Sequence, residues 1–331
     1  MSLLRAIRDA HDADLTAVGA QEAVTRERLL PRIGDILEHV RRRRAAVDSV
    51  YAEIRAKAGD RATPHGEAHA ATYPIGFCLQ IRDRVFDLLA ADPEFRALIG
   101  PDTLFKRVHI LLRDAYFQNA MQIGNLYVDA ANDTVDPRKD KLDWAPADKL
   151  DYRNCESWEQ LHDVAHRYLG VELYPNLLFP LAFPVAPFFM IRPSGRIDLF
   201  PQSLVFLKDL GDGMRRAKAL LRDPRLTARR LPDAYETLLR RTFDANLRAN
   251  FPLAFEPTAP DDLDAGILAE FARLPEAGEP GASRTLEQYL KVVADAESKL
   301  SRLNLVPDQA TLDALREQGA IPHEAYVSPF V

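Results

Sequence analysis

The chain has 331 residues and a mass of 37.2 kDa, with 47% hydrophobic and 28% charged residues, which is room and composition for one large domain or two modest ones around a buried core. Its 43 Lys and Arg against 49 Asp and Glu leave a net charge of −6, which argues against a general nucleic-acid binder, because such affinity comes from clustered cations on phosphates. Two cysteines, Cys78 and Cys155, exclude a disulfide scaffold and imply reduced thiols.

The opening MSLLRAIRDAHDADL is too acidic, and its apolar part too short, for a secretory signal. The longest apolar run, 177–191, is broken by Pro180, Pro184 and Pro187 and falls short of the roughly 20 residues a membrane helix needs. The expectation is a soluble, cytoplasmic protein without membrane or nucleic-acid partners.

From Glu22 to Lys57 the positions Leu30, Ile33, Leu37, Val40, Arg44, Val47, Tyr51 and Ile54 recur three and four apart, the spacing of a helical seam. Pro31 marks a kink or a restart, since it lacks a backbone donor. Arg44 interrupts the apolar stripe and calls for a carboxylate partner. Glu297, on a later helical stripe with Leu286, Leu290, Val293 and Leu300, is the expected mate. A buried ion pair exchanged for an apolar contact is often neutral when the partner reaches water, so Arg44→Leu is expected to be tolerated.

Residues 59–72 (GDRATPHGEAHAAT) carry turn formers and no periodicity, and read as a linker. A turn at Pro74–Gly76 precedes a helix whose buried face is Ile81, Val85, Leu88 and Leu89. Asp92-Pro93 starts a short helix that closes at Gly100.

The stretch 105–129 is rich in β-branched and aromatic residues and reads as strands, followed by a polar loop from Asp136-Pro137 to about Asn154. Ser157 and Gln160 form a capping-box pair, and the helix behind them stops at Gly170. The proline-studded run 173–187 reads as extended chain crossing the core or lining a pocket. FFMIRPSGRIDLF reads as a hairpin turning at Pro193-Ser194-Gly195. Helical spacing covers 202–210, 214–221, 233–250, 261–274, 285–303 and 308–318, with a linker at 275–283. The fold class is therefore α+β, predominantly helical, with a long N-terminal helix and C-terminal helices around a small central β-sheet in which 105–129 and 188–200 pair. The division is a helical arm at 1–60, a main domain at 61–275, and a C-terminal helical segment at 276–331 packed on the arm.

Three clusters are candidates for chemistry. DAANDTVD sets Asp129, Asn132, Asp133 and Asp136 after a strand, with spacing that loosely resembles the acidic motifs of sugar-nucleotide transferases. Hard oxygen ligands of this kind suit Mg²⁺ or Mn²⁺, with Asp129 and Asp133 as catalytic and metal-binding residues and Asn132 on the substrate. Asp and Asn are equally the residues of turns and helix caps. HDVAH places His162 and His166 four apart on one helix face, as in zinc sites, and resembles the zincin helix except that Asp163 stands where those enzymes carry Glu. Arg192 and Arg196 flank the hairpin turn beside Phe188, Phe189 and Phe200, where guanidinium forks suit an anionic substrate. A charged hairpin edge explains the same arginines.

The leading expectation is an enzyme acting on a polar small molecule, phosphorylated or glycosyl and transferase-like, through the acidic cluster and Mg²⁺ or Mn²⁺. The rivals are a helical interaction or scaffold protein, contacting a protein partner or a second copy of itself, and a hydrolase using HDVAH with Zn²⁺. No glycine-rich phosphate loop or nucleophile elbow accompanies these clusters.

Overall fold

The seam becomes helix α1, Ile33–Ala58, which buries Leu37, Val40, Arg44, Val47 and Tyr51. Pro31 stands in a 3-10 turn, Leu30–Arg32, which follows a π turn at Thr25–Leu29, so the proline restarts the helix where its missing donor costs least. The computed structural model describes residues 10, 12–58, 73–179, 182–200, 203–220, 223–242 and 300–322, with scattered positions between 287 and 298. Two compact units emerge, one built on Asp12–Asn154 and the other on Cys155–Tyr326.

In the first unit, α2 (Cys78–Ala90) packs beside α1 and buries Ile81, Val85 and Leu89. Leu88, expected inside, is 39% exposed, and Arg82 takes an inward position instead. Asp92 caps α3 (Pro93–Ile99), accepting from the Glu94 and Phe95 amides, and Pro93 sits at the first helical position.

These helices cover one face of a five-stranded antiparallel sheet, order β4-β3-β2-β1-β5. Its strands are β1 (Phe105–Leu112), β2 (Tyr116–Ile123), β3 (Leu126–Asp129), β4 (Asp143–Pro146) and β5 (Tyr152–Asn154). The two-residue turn Gly124-Asn125 joins β2 to β3 with Gly124 at φ +61°. A Cβ there would meet the Leu29 side chain at 2.6 Å and Thr25 Oγ1 at 2.7 Å, so glycine serves both the turn and the close approach.

The stretch expected to be loop up to Asn154 contains β4 and β5. Their sequences, DWAP and YRN, lack apolar alternation because they flank the sheet and are held by backbone pairing with β3 and β1. Alternation along the other strands turns Phe105, Met121, Ile123 and Val128 toward the helices. Val108, Ile110, Ala120 and Tyr127 face the other way, where Leu15 packs on them.

In the second unit, Ser157 caps α4 (Trp158–Leu169) by accepting from the Gln160 amide at 3.2 Å, and Gly170 ends it in the left-handed region at φ +58°. A separate three-stranded antiparallel sheet follows, order β6-β7-β8, from Glu172–Pro175, Phe188–Ile191 and Ile197–Phe200. The expected single central sheet is thus corrected: 105–129 and 188–200 lie in two different sheets. The start of the proline-rich run supplies strand β6, with Pro175 at the sheet's edge, and Phe179 meets Phe189 edge-on at 5.7 Å. The hairpin β7–β8 turns at Pro193-Ser194-Gly195 as read from the sequence. Helices α5 (Ser203–Gly211), α6 (Arg215–Leu220), α7 (Asp233–Thr242) and α8 (Gln309–Glu317) follow in this unit, with a single helical turn at Pro224–Thr227 between α6 and α7. The linkers expected at 59–72 and 275–283, the helix at 261–274 and Glu297 lie outside the described residues. The described residues form a mixed α+β fold with two antiparallel sheets.

Candidate functional site

Period-two alternation decides which side chains share the sheet face away from the helices. Gln118 on β2, Tyr127 and Asp129 on β3, and Asp143 on β4 all point there, with Asp129 and Asp143 directly opposite each other. Gln118, Tyr127 and Asp143 line a cavity of about 150 Å³ together with Asn132 from the turn beyond β3, Arg113 from the β1–β2 connection and Tyr116 at the start of β2. Arg113 and Asp114 in that connection are non-glycine residues at φ +54° and +48°. Backbone held in this region costs energy and is found preferentially at functional sites.

Asp129 is fully buried behind this lining. Its Oδ1 accepts from the Ala131 amide at 2.7 Å, and Oδ2 accepts from Gln118 Nε2. Burial pushes its carboxyl up to about 7, opposed by the Ala131 amide and assisted by the charge of Asp143. The Tyr127 phenol is raised well above its ordinary range by burial and by the two carboxylates of Asp129 and Asp143. A buried acid poised at neutrality, on the same face as a phenol that lines a cavity, can exchange a proton with a bound group.

Asp133 does something else. Its two carboxylate oxygens accept from Arg44 Nη1 at 2.8 Å and Nη2 at 2.9 Å, while Arg44 Nη1 also donates to the Ala130 carbonyl at 2.6 Å and Nε to Asp48 at 2.7 Å. Burial opposes the Arg44 charge, yet the bonds to Asp133 and Asp48 hold its pKa above the usual value. Among the described residues the seam arginine finds its carboxylates in a 3-10 turn, Asn132–Thr134, and one turn further along its own helix at Asp48. Although four residues apart, Asp129 and Asp133 turn to different partners. Asn132 Nδ2 donates to the Asp140 carbonyl at 2.8 Å, and Asp136 pairs with Arg138.

The other expected site residues belong to the second unit. His162 Nδ1 lies 3.1 Å from Asp163, and its ring sits 5.5 Å from Phe188. His166 is half-exposed, with Nδ1 2.9 Å from the Val171 carbonyl oxygen and 3.4 Å from Glu172. Arg192 and Arg196 each donate from Nε to Asp198 Oδ2 at 2.9 Å, so the two guanidiniums share one buried carboxylate across their own hairpin. Among the described residues, no three His, Cys, Asp or Glu side chains gather as an ion site. Also among them, no helix is long and apolar enough to cross a membrane. Gln118, Tyr127 and Asp143 escaped sequence reasoning, because their shared face depends on strand register, which no local pattern announces. Compared with protein families, with curated proteins and with solved structures, the chain matches none.

Proposed function

We propose that the protein is an enzyme acting on a small polar molecule bound in the cavity on the face of the five-stranded sheet away from the helices. The observation that carries this reading is Asp129, a fully buried carboxyl raised to about 7, bonded to Gln118 of the cavity lining and on the same sheet face as Tyr127. In the proposed chemistry a hydroxyl of the bound molecule gives its proton to the Tyr127 oxygen while the Tyr127 proton passes to the Asp129 carboxylate. The activated oxygen then attacks a phosphorus or anomeric carbon, the bond from that centre to its leaving oxygen breaks, and the proton held on Asp129 returns through Tyr127 to the departing oxygen, as in a transferase or hydrolase. Asn132, Gln118 and Asp143 supply hydrogen bonds that orient hydroxyls or amides. A Mg²⁺ or Mn²⁺ ion belongs to this proposal on the Asp143 carboxylate, where it would bridge to oxygens of the bound molecule, since Asp133 is engaged by Arg44 and both Asp129 oxygens accept bonds from Ala131 and Gln118.

The test is a thermal-shift survey of small polar metabolites, with and without Mg²⁺ or Mn²⁺, followed by turnover of each stabilising compound. Turnover rising through pH about 7 in the wild type, and lost in Tyr127→Phe and Asp129→Asn, supports the reading. Carbon NMR showing Asp129 titrating in the ordinary carboxylate range near 4 overturns it.

The interaction reading draws on one observation, an open groove of about 610 Å³ bordered by Val18, Thr25, Leu30, Asn125 and Pro146. Sedimentation of the purified chain separates a self-associating protein from a monomeric one, and concentration-dependent dimerisation weakened by Leu30→Glu favours this second function.

A further inference from the structure

In the second unit a small cavity of about 50 Å³ opens where strands β6 and β7 meet the start of α7. Its floor is apolar: Leu178, Phe189 and Leu231 are nearly fully buried. Around the floor stand three guanidiniums, Arg229, Arg230 and Arg240. Arg229 is fixed by its Nη2 bond to Glu172 and by stacking 4.7 Å from the Tyr174 ring centroid. Arg240 donates from Nε to Glu236, one turn earlier on α7, at 2.8 Å. Arg230 is exposed and, among the described residues, has no ion-pair partner. Two of the three charges are thus matched by carboxylates, and the third stands unmatched beside an apolar floor.

We propose that this cavity is a binding site for a short-chain monocarboxylate, its branched alkyl end on Leu178, Phe189 and Leu231 and its carboxylate on Arg230. Size selects the class. About 50 Å³ accommodates about three to five waters at about 10–15 Å³ each, which is room for a small alkyl group. Charge selects it as well, because a planar carboxylate matches the guanidinium fork and carries the single negative charge that Arg230 lacks. A phosphate is more strongly hydrated and leaves the apolar floor unused. The site lies in a different unit from the Asp129 cavity and stands or falls independently of the function proposed there.

Methyl NMR of the full chain, titrated with isobutyrate, isobutyramide and inorganic phosphate, tests this. Isobutyrate is expected to shift the Leu178 and Leu231 methyl resonances with a Kd of about 1 mM, a free energy within reach of so small a ligand. Isobutyramide, of the same shape without the charge, is expected to bind about tenfold more weakly, and Arg230→Gln to reduce isobutyrate to the level of the amide. The exposed position of Arg230 lets that variant fold, and unchanged methyl resonances without ligand verify it. Equal affinity for acid and amide, tighter binding of phosphate than of isobutyrate, an unaffected Arg230→Gln variant, or no methyl shifts up to about 50 mM isobutyrate each overturn the proposal.

Discussion

Asp133 is 3% exposed, and Arg44 holds its two oxygens at 2.8 and 2.9 Å. Arg44→Leu strands that carboxylate away from water, so tolerance, the expectation from the sequence, gives way to a loss of about 3–5 kcal/mol in unfolding free energy. The double variant Arg44→Leu with Asp133→Leu removes the orphaned charge and is expected to recover more than half of it. Denaturant unfolding of both checks this, and a single variant within about 1 kcal/mol of wild type contradicts it. Asp129 makes the opposite kind of prediction. Its carboxyl titrates near 3.9 in the unfolded chain and at about 7 in the fold. Between those values the folded state holds a proton that the unfolded state has released. Stability from this group is complete below about pH 4 and declines as pH rises through about 7, by about 4 kcal/mol in all. Asp129→Asn removes that dependence, so the stability difference between wild type and variant should drift by that amount between about pH 4 and pH 8, and a constant difference speaks against the buried acid.

At the scale of elements, two local devices bear separate weights. Ser157→Ala removes the side-chain acceptor for the Gln160 amide at the head of α4 and is expected to cost about 1 kcal/mol, read from thermal unfolding. Gly195 carries more. It turns the β7–β8 hairpin at φ +82°, its carbonyl accepts from the Tyr235 hydroxyl at 2.7 Å, and a Cβ there would lie 2.4 Å from Leu312 Cδ2 on α8. Strain and overpacking combine, so Gly195→Ala should cost about 2–4 kcal/mol. A loss below that of Ser157→Ala would mean that α8 yields easily.

For the whole molecule, the two units have separate sheets, and the described residues of the first enclose their own apolar clusters on both sheet faces. Chains of this kind depart from a single cooperative transition. Calorimetry is expected to resolve two transitions, with Arg44→Leu lowering one and Gly195→Ala the other. Both substitutions moving one common transition by the same amount would refute this division of stability.

Features that lie within a turn or two of the chain were legible in the residues alone. The stripe from Leu37 to Tyr51, the cap at Ser157, the stop at Gly170 and the turn at Pro193-Ser194-Gly195 are all found where periodicity and turn chemistry put them, because hydrogen bonds between residues a few positions apart decide them. Even the need of Arg44 for a carboxylate was legible, as an arginine on an apolar seam. Which carboxylate answers was not, since Asp133 lies 89 positions away and packing alone brings it there. The same holds for the cavity: Asp129 stood out as the acidic end of a strand, but its alliance with Gln118, Tyr127 and Asp143 came from the register of three strands. The assignment of strands to two sheets was likewise tertiary, because pairing joins segments by backbone groups that every sequence carries, and the burial that chooses between partners exists only after the chain has folded.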